Sequence, residues 1–157
     1  MGVEIERKFL VRDPTVVAGS AGTRYRQGYL SVDPERTVRV RVAGERAYVT
    51  VKGLSRGPAR AEFEYEIPPA DANAMLDELA LRPVIDKTRH IVEAGGRRWE
   101  VDVFGGANAG LVVAEIELES ADAPLEIPVW AGPEVTGDPR YYNASLVAHP
   151  FAEWRDR

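Results

Sequence analysis

Charged residues in this sequence fall in short rows with a spacing of two. Near the N-terminus Glu4, Glu6 and Lys8 alternate with Val3, Ile5, Phe9 and Val11, with Arg7 as the exception. The spacing returns where Arg39 and Arg41 stand between Val38, Val40 and Val42. It returns again where Arg60, Glu62, Glu64 and Glu66 alternate with Phe63, Tyr65 and Ile67. Glu100 and Asp102 alternate with Trp99, Val101 and Val103, and Glu115, Glu117 and Glu119 with Val112, Ala114, Ile116 and Leu118. Carboxylate oxygens are hard ligands suited to Mg²⁺ or Mn²⁺. Arg and Lys suit phosphate oxygens, Arg through a two-pronged fork. A surface that gathers both kinds holds a metal ion together with a phosphate-rich anion.

A period of two is the signature of a strand, whose successive side chains point to opposite faces. Strands are expected from about 3 to 11 and at 24–32, 37–43, 47–52, 60–67, 85–93, 97–103 and 112–119. Turn residues stand between them at Ala43-Gly44-Glu45, Gly95-Gly96 and Gly105-Gly106-Ala107-Asn108. About eight mostly antiparallel strands favour a closed barrel or a sandwich over an open sheet, and the inward-facing charged rows favour the barrel. The expected fold is therefore mainly β (α+β): a closed eight-stranded antiparallel β-barrel, a tunnel with a charged lumen and a few peripheral helices. Asp71 caps an expected helix over 72–81, with an apolar stripe of Met75, Leu76 and Leu79 that ends at Arg82-Pro83. A short turn follows Asp13-Pro14. A second helix is expected at 143–148, closed by Pro150, within a C-terminal helical segment of about 143–157. Pro124, Pro128, Pro133 and Pro139 make 121–142 an irregular connection.

An ordinary antiparallel sheet also alternates apolar and polar residues, so each charged row taken alone reads as a solvated face. The rows here depart from that pattern. They contain few Thr or Ser, the usual residues of an exposed strand surface. Rows such as Glu62-Glu64-Glu66 carry one sign and repel themselves unless something neutralises them. The sign also changes from strand to strand.

The 157 residues suit a single domain, 1–157, with a real core, and 45% of them are hydrophobic. No run of eighteen apolar residues occurs, so no membrane association is expected. The N-terminal segment has no apolar stretch of the secretory kind. Cysteine is absent, which excludes disulfides and thiolate metal sites and makes a cytoplasmic location the expectation. A net charge of −5 with both signs intermixed argues against a stable nucleic-acid partner, though not against a small polyanion. Oligomeric state stays open.

The run Glu4-Ile5-Glu6-Arg7-Lys8 is an ExExK motif. It is followed in order by Arg39-Val40-Arg41, Thr50-Val51-Lys52, Arg60-Ala61-Glu62-Phe63-Glu64-Tyr65-Glu66, Lys87-Thr88-Arg89 and Glu115-Ile116-Glu117. Together these resemble the CYTH family, the triphosphate tunnel metalloenzymes, over nearly the whole chain. The resemblance implies a metal-dependent tunnel acting on triphosphates. Members include inorganic triphosphatases, thiamine triphosphatases, RNA 5′-triphosphatases and class IV adenylate cyclases. It implies metal binding by Glu4, Glu6, Glu62, Glu64, Glu115 and Glu117, the last pair foremost. It implies a phosphate clamp of Lys8, Arg39, Arg41, Lys52, Lys87 and Arg89, to which Arg60 is added. Gln27-Gly28-Tyr29-Leu30 resembles the segment that brings a tyrosine near the lysine of the first motif. Lys8, Tyr29, Glu115 and Glu117 are therefore the candidate catalytic residues.

The expected reaction is hydrolysis of a triphosphate phosphoanhydride bond, inorganic tripolyphosphate first, with a small-molecule triphosphate as partner and Mg²⁺ or Mn²⁺ as cofactor. The alternatives are a class IV-type adenylate cyclase, a thiamine or nucleoside triphosphatase, and a non-catalytic polyphosphate-binding module. Glu100, Glu119 and Arg98 carry either lumen or rim charges, and Glu66 and Asp102 stand at rows whose role varies across the family that the chain resembles. Arg7 and His90 fall on the other parity, and His149, Trp99, Trp130 and Trp154 read as structural residues.

Overall fold

The computed structural model describes residues 5–54 and 61–154. Nine strands are present among them: β1 (Ile5–Val11), β2 (Thr23–Ser31), β3 (Arg36–Ala43), β4 (Arg46–Gly53), β5 (Glu62–Ile67), β6 (Ile85–Ala94), β7 (Arg97–Phe104), β8 (Val112–Leu118) and β9 (Ala131–Glu134). They form one antiparallel sheet in the order β5-β4-β3-β2-β6-β7-β8-β1-β9. The β3–β4 and β6–β7 hairpins close through two-residue turns. At the β6–β7 hairpin Gly95 and Gly96 both take positive φ, 59° and 73°, which only glycine adopts without strain.

The sheet is not closed, so the expected eight-stranded barrel is replaced by an open sheet with edges at β5 and β9. Closing the first eight strands requires β1 to pair with β5. The free side of β1 is instead taken by β9, which sets Glu134 opposite Phe9 and Ala131 opposite Val11. Such a closure would also bring the acidic row of β5 beside Glu6, and like charges directly opposite one another destabilise a strand pair. β9 lies within the stretch expected to be irregular. Its sequence, Ala-Gly-Pro-Glu, has no alternation to reveal a strand, and Pro133 is tolerated because β9 is an edge.

The face of the sheet opposite the charged rows is apolar and is covered in two places. Helix α1 (Pro69–Glu78) packs Ala72 and Leu76 against Val40 and Ala47. It begins three residues before the expected start because Pro69 suits the first helical turn, and Asp71 sits in that turn instead of capping it. Of the expected stripe Leu76 is buried, while Leu79 lies beyond the last turn and is exposed. A second cluster joins Phe9, Trp99, Ala114, Ile116 and Leu118, with Trp130 edge-on to Trp99 at 5.5 Å between ring centres. Helix α2 (Asn143–Ala148) forms where expected. It is followed by a 3₁₀ turn at Phe151–Glu153. Leu146 and Val147 of α2 pack with Tyr29, Ile85, Phe104 and Val113, so the C-terminal segment seals one end of the charged face.

Candidate active site

The strand registers assemble the charged rows into one surface. Residues directly opposite in an antiparallel pair share a face. Lys8 opposes Glu115 and Glu6 opposes Glu117. Glu115 in turn opposes Glu100, and Asp102 opposes Arg89. Across β6 and β2, Lys87 faces Tyr25, and Gln27 faces Arg41. On the far side Arg39 faces Thr50, Thr50 faces Glu64, and Lys52 faces Glu62. Arg7 lies on the other face, where Glu134 accepts two hydrogen bonds from its guanidinium at 3.0 and 2.7 Å.

The middle of this face is cationic and tightly packed. Lys87 is 1% exposed, and its ammonium lies 2.8 Å from Asp102. Arg89 donates to both oxygens of Asp102, at 2.8 and 3.0 Å, and to Glu100 at 3.1 Å. Burial pushes the Lys87 ammonium down from 10.5 to about 8; Asp102 opposes that push, and Arg89 and Arg41 add to it. Burial alone would raise the Asp102 carboxyl, but Lys87 and Arg89 outweigh it and hold the group well below the usual carboxylate range. For Arg89 burial works against the charge, and Asp102 and Glu100 more than offset it.

Arg41 differs from its neighbours. Arg39 lies 3.6 Å from Glu64, Lys52 lies 4.0 Å from Glu62, and Lys8 lies 3.5 Å from Glu115. Arg41 forms no ion pair among the described residues. Its Nε donates to the neutral carbonyl of Gln27 at 2.7 Å, and its guanidinium carbon sits 5.1 Å from the centre of the Tyr25 ring. The Arg89 guanidinium sits 4.7 Å from the same ring. Burial, then repulsion from Arg39 and Arg89, lowers Arg41 from 12.5 to about 10. A buried guanidinium with neutral partners keeps its charge available for an anion.

Carboxylates occupy the two flanks. On one, Glu6 and Glu117 face each other across β1 and β8, and Glu100 and Glu115 across β7 and β8. An open cleft of about 520 Å³ is lined there by Arg98, Glu100, Glu115 and Glu117. Glu117 forms no ion pair among the described residues. Directly opposed carboxylates favour a cation between them, and the all-oxygen donor set suits a hard divalent ion. On the other flank Glu64 accepts from the Thr50 hydroxyl at 2.7 Å and stands beside Arg39, so Glu62 and Glu64 are engaged with clamp cations. Of the expected metal-binding residues, Glu6, Glu115 and Glu117 thus lie on one flank and Glu62 and Glu64 on the other, and no group of three or more candidate ligands converges among the described residues. Glu4 and Arg60 lie outside the described residues.

Lys8 and Tyr29 are linked through the C-terminal segment. The Lys8 ammonium donates to the Tyr141 carbonyl at 3.2 Å and lies 5.6 Å from the centre of the Tyr142 ring. Tyr141 packs in the same apolar cluster as Tyr29. Tyr25 and Asn143 also face the charged rows and were not singled out from sequence, and Gln27 was read only as part of the segment that carries Tyr29. Tyr25 and Gln27 share the parity of Tyr29 along β2, which could have marked them. Asn143 carries no local signal, because only the docking of α2 brings it to Lys87 and Gln27.

A packed cationic centre between carboxylate flanks, on one face of an antiparallel sheet, has the charge to bind a small polyanion. The chain belongs to the CYTH domain family, whose profile matches residues 2–149. It is 48% identical over 156 residues to an inorganic triphosphatase of Acetivibrio thermocellus, covering 99% of this chain and 100% of that one. It is 36% identical over 149 residues to an inorganic triphosphatase of Nitrosomonas europaea, covering 92% and 96%. A crystal structure of an inorganic triphosphatase superposes with a TM-score of 0.70 at 33% identity, covering 94% of this chain and 95% of that one. Among the described residues no helix is long and apolar enough to cross a membrane.

Proposed function

We propose that the charged face hydrolyses inorganic tripolyphosphate with Mg²⁺ or Mn²⁺, releasing pyrophosphate and orthophosphate. Membership of the CYTH family, and the identity of its relatives as inorganic triphosphatases over nearly their full length, make this chain a metal-dependent triphosphate hydrolase. The observation that carries the finer reading is Arg41, a cation without a carboxylate partner, packed among Arg39, Lys87 and Arg89. Four cations gathered on β3 and β6, either side of β2, match an anion that carries charge along its length.

In this reading Arg39, Arg41, Lys52, Lys87 and Arg89 hold the phosphates extended, with Arg60 joining them. Glu6, Glu115 and Glu117, with Glu4, hold the divalent ion, which when bound neutralises phosphate charge and lowers the pKa of water. Glu62 and Glu64 complete the acidic set by orienting Lys52 and Arg39. Water attacks the terminal phosphorus, the bridging P–O bond breaks, and pyrophosphate leaves. Glu115 or Glu117 accepts the proton of that water. Lys8, steered by Glu115 and the Tyr141 carbonyl, donates to the transferring group, and Tyr29 braces the segment that steers it. Most of the acceleration comes from positioning and charge stabilisation, since phosphoryl transfer needs little covalent help. The whole chain acts as one domain in the cytoplasm on a small-molecule substrate.

A panel of tripolyphosphate, ATP and thiamine triphosphate with product analysis tests this. Orthophosphate and pyrophosphate from tripolyphosphate at the highest kcat/KM is the expected result. Cyclic AMP from ATP would replace the hydrolase with a cyclase, and binding without product would leave only a polyphosphate-binding module.

A further inference from the structure

Asn143 opens α2, and its side chain lies against the most buried part of the cationic centre. Its amide orientation follows from its neighbours. The Lys87 ammonium is a donor only, so the Asn143 atom 3.2 Å from it is the oxygen, Oδ1. Arg41 is also a donor only, so the Gln27 atom that meets its Nε at 2.7 Å is the carbonyl. That leaves the Gln27 amine to meet Asn143, and it donates to the same Oδ1 at 3.1 Å. Both assignments place Oδ1 toward the cluster and fix the side chain from two directions.

The Asn143 Nδ2 amine is then left without an acceptor among the described residues. It is not sealed from solvent either, since the buried polar atoms without a partner there are Arg39 Nε and Trp99 Nε1. Gln27 is fully buried and spends its carbonyl on Arg41 and its amine on Asn143, so it serves as a spacer. Asn143 thereby ties together Lys87 and, through Gln27, Arg41. It also carries a free, oriented N–H donor bonded to the carbon of that anchored amide.

We propose that Asn143 is a further substrate-binding residue: its carbonyl locks Lys87 and Gln27 in place, and its free amine donates to a non-bridging phosphate oxygen. This rests on the triphosphate reading above. The C-terminal helix is then part of the anion site, and its docking completes the clamp.

Tripolyphosphate binding by wild type, N143A and N143D, measured by calorimetry with Mg²⁺ present, tests the proposal beside apo melting curves. N143D keeps an oxygen for Lys87 and Gln27 and replaces the free donor with a second oxygen that repels phosphate. The expected result is affinity lowered about tenfold in N143A and further in N143D, while N143D melts like wild type; a lost charge-assisted hydrogen bond has this size. A purely structural role predicts the reverse order, with N143D close to wild type and N143A weak. Wild-type affinity in N143D overturns the proposal, and that result stands even if N143A fails to fold. Wild type that neither binds nor hydrolyses tripolyphosphate would instead overturn the triphosphate reading itself.

Discussion

Arg41 and Arg7 are the same residue type on neighbouring motifs, and strand parity alone separates their roles. Arg41 hydrogen-bonds to the neutral Gln27 and stacks by Tyr25 with no carboxylate partner among the described residues, while Arg7 spends its charge on Glu134 at the opposite face. Arg41→Ala should therefore lower triphosphate turnover by on the order of a hundredfold, the usual cost of losing a preorganised charge-stabilising contact. Arg7→Ala should leave turnover within a few-fold in the same steady-state assay. Lys87 gives a pH signature. It is protonated below about 8, so substrate affinity should hold there and fall as pH rises through that value. The unfolded chain keeps this proton to about 10.5, so between the two values the unfolded state binds more protons and this group's contribution to stability rises with pH. Loss of affinity above pH 8 with no loss of fold separates ligand binding from unfolding. Binding titrations over pH 6–10 check this, and Lys87→Arg should move the fall upward because arginine keeps its charge. The clamp residues were legible because alternation and type marked them directly. The pairing of Lys87 with Asp102, and the isolation of Arg41, were not, because they depend on which rows become neighbours.

Strands were legible where alternation was strong, and their bounds shift by only a few residues between expectation and structure. The eight expected strands all form, most of them with an apolar side to bury, while β5, whose Phe63 and Tyr65 stay exposed, forms through its pairing with β4. β9 escaped because its pairing is dictated by β1 and not by its own four residues. Helix α1 was legible as a helix, and its start moved because the proline pair outranks Asp71 as a beginning. What seats α1 was not legible. A Cβ on Gly28 would lie 2.9 Å from Ala80 Cβ and 3.0 Å from Leu76 Cδ2, so β2 approaches the helix closely at that one residue. Gly28 also sits between Gln27 and Tyr29, which face the site. Gly28→Ala should cost about 1–3 kcal/mol of stability through overpacking, measured by denaturant unfolding. It should also weaken substrate binding by shifting β2. Stability unchanged from wild type would show that the helix yields freely there.

The whole molecule presents an open sheet whose two acidic flanks stand apart, with cations between them. The barrel expectation came from counting strands, and a strand count does not reveal which strand occupies the last free edge. Opposed pairs such as Glu6 with Glu117 and Glu100 with Glu115 crowd like charges, and a bound cation relieves this. Metal and tripolyphosphate added together should therefore raise the melting temperature, by about 2.7 kcal/mol of stabilisation at a hundredfold excess over the dissociation constant. The double substitution Glu115→Gln with Glu117→Gln should lose most of that shift in a parallel melt. An equal shift in the double variant would move the metal site elsewhere on the face. The central claim is that this face carries out metal-dependent hydrolysis, and the most direct measurement is orthophosphate release from tripolyphosphate before chelation, after exhaustive EDTA treatment, and after Mg²⁺ or Mn²⁺ is restored. The expected result is turnover that disappears with EDTA and returns with the metal. Full turnover in the chelated protein, or no phosphate release with either metal, would contradict it.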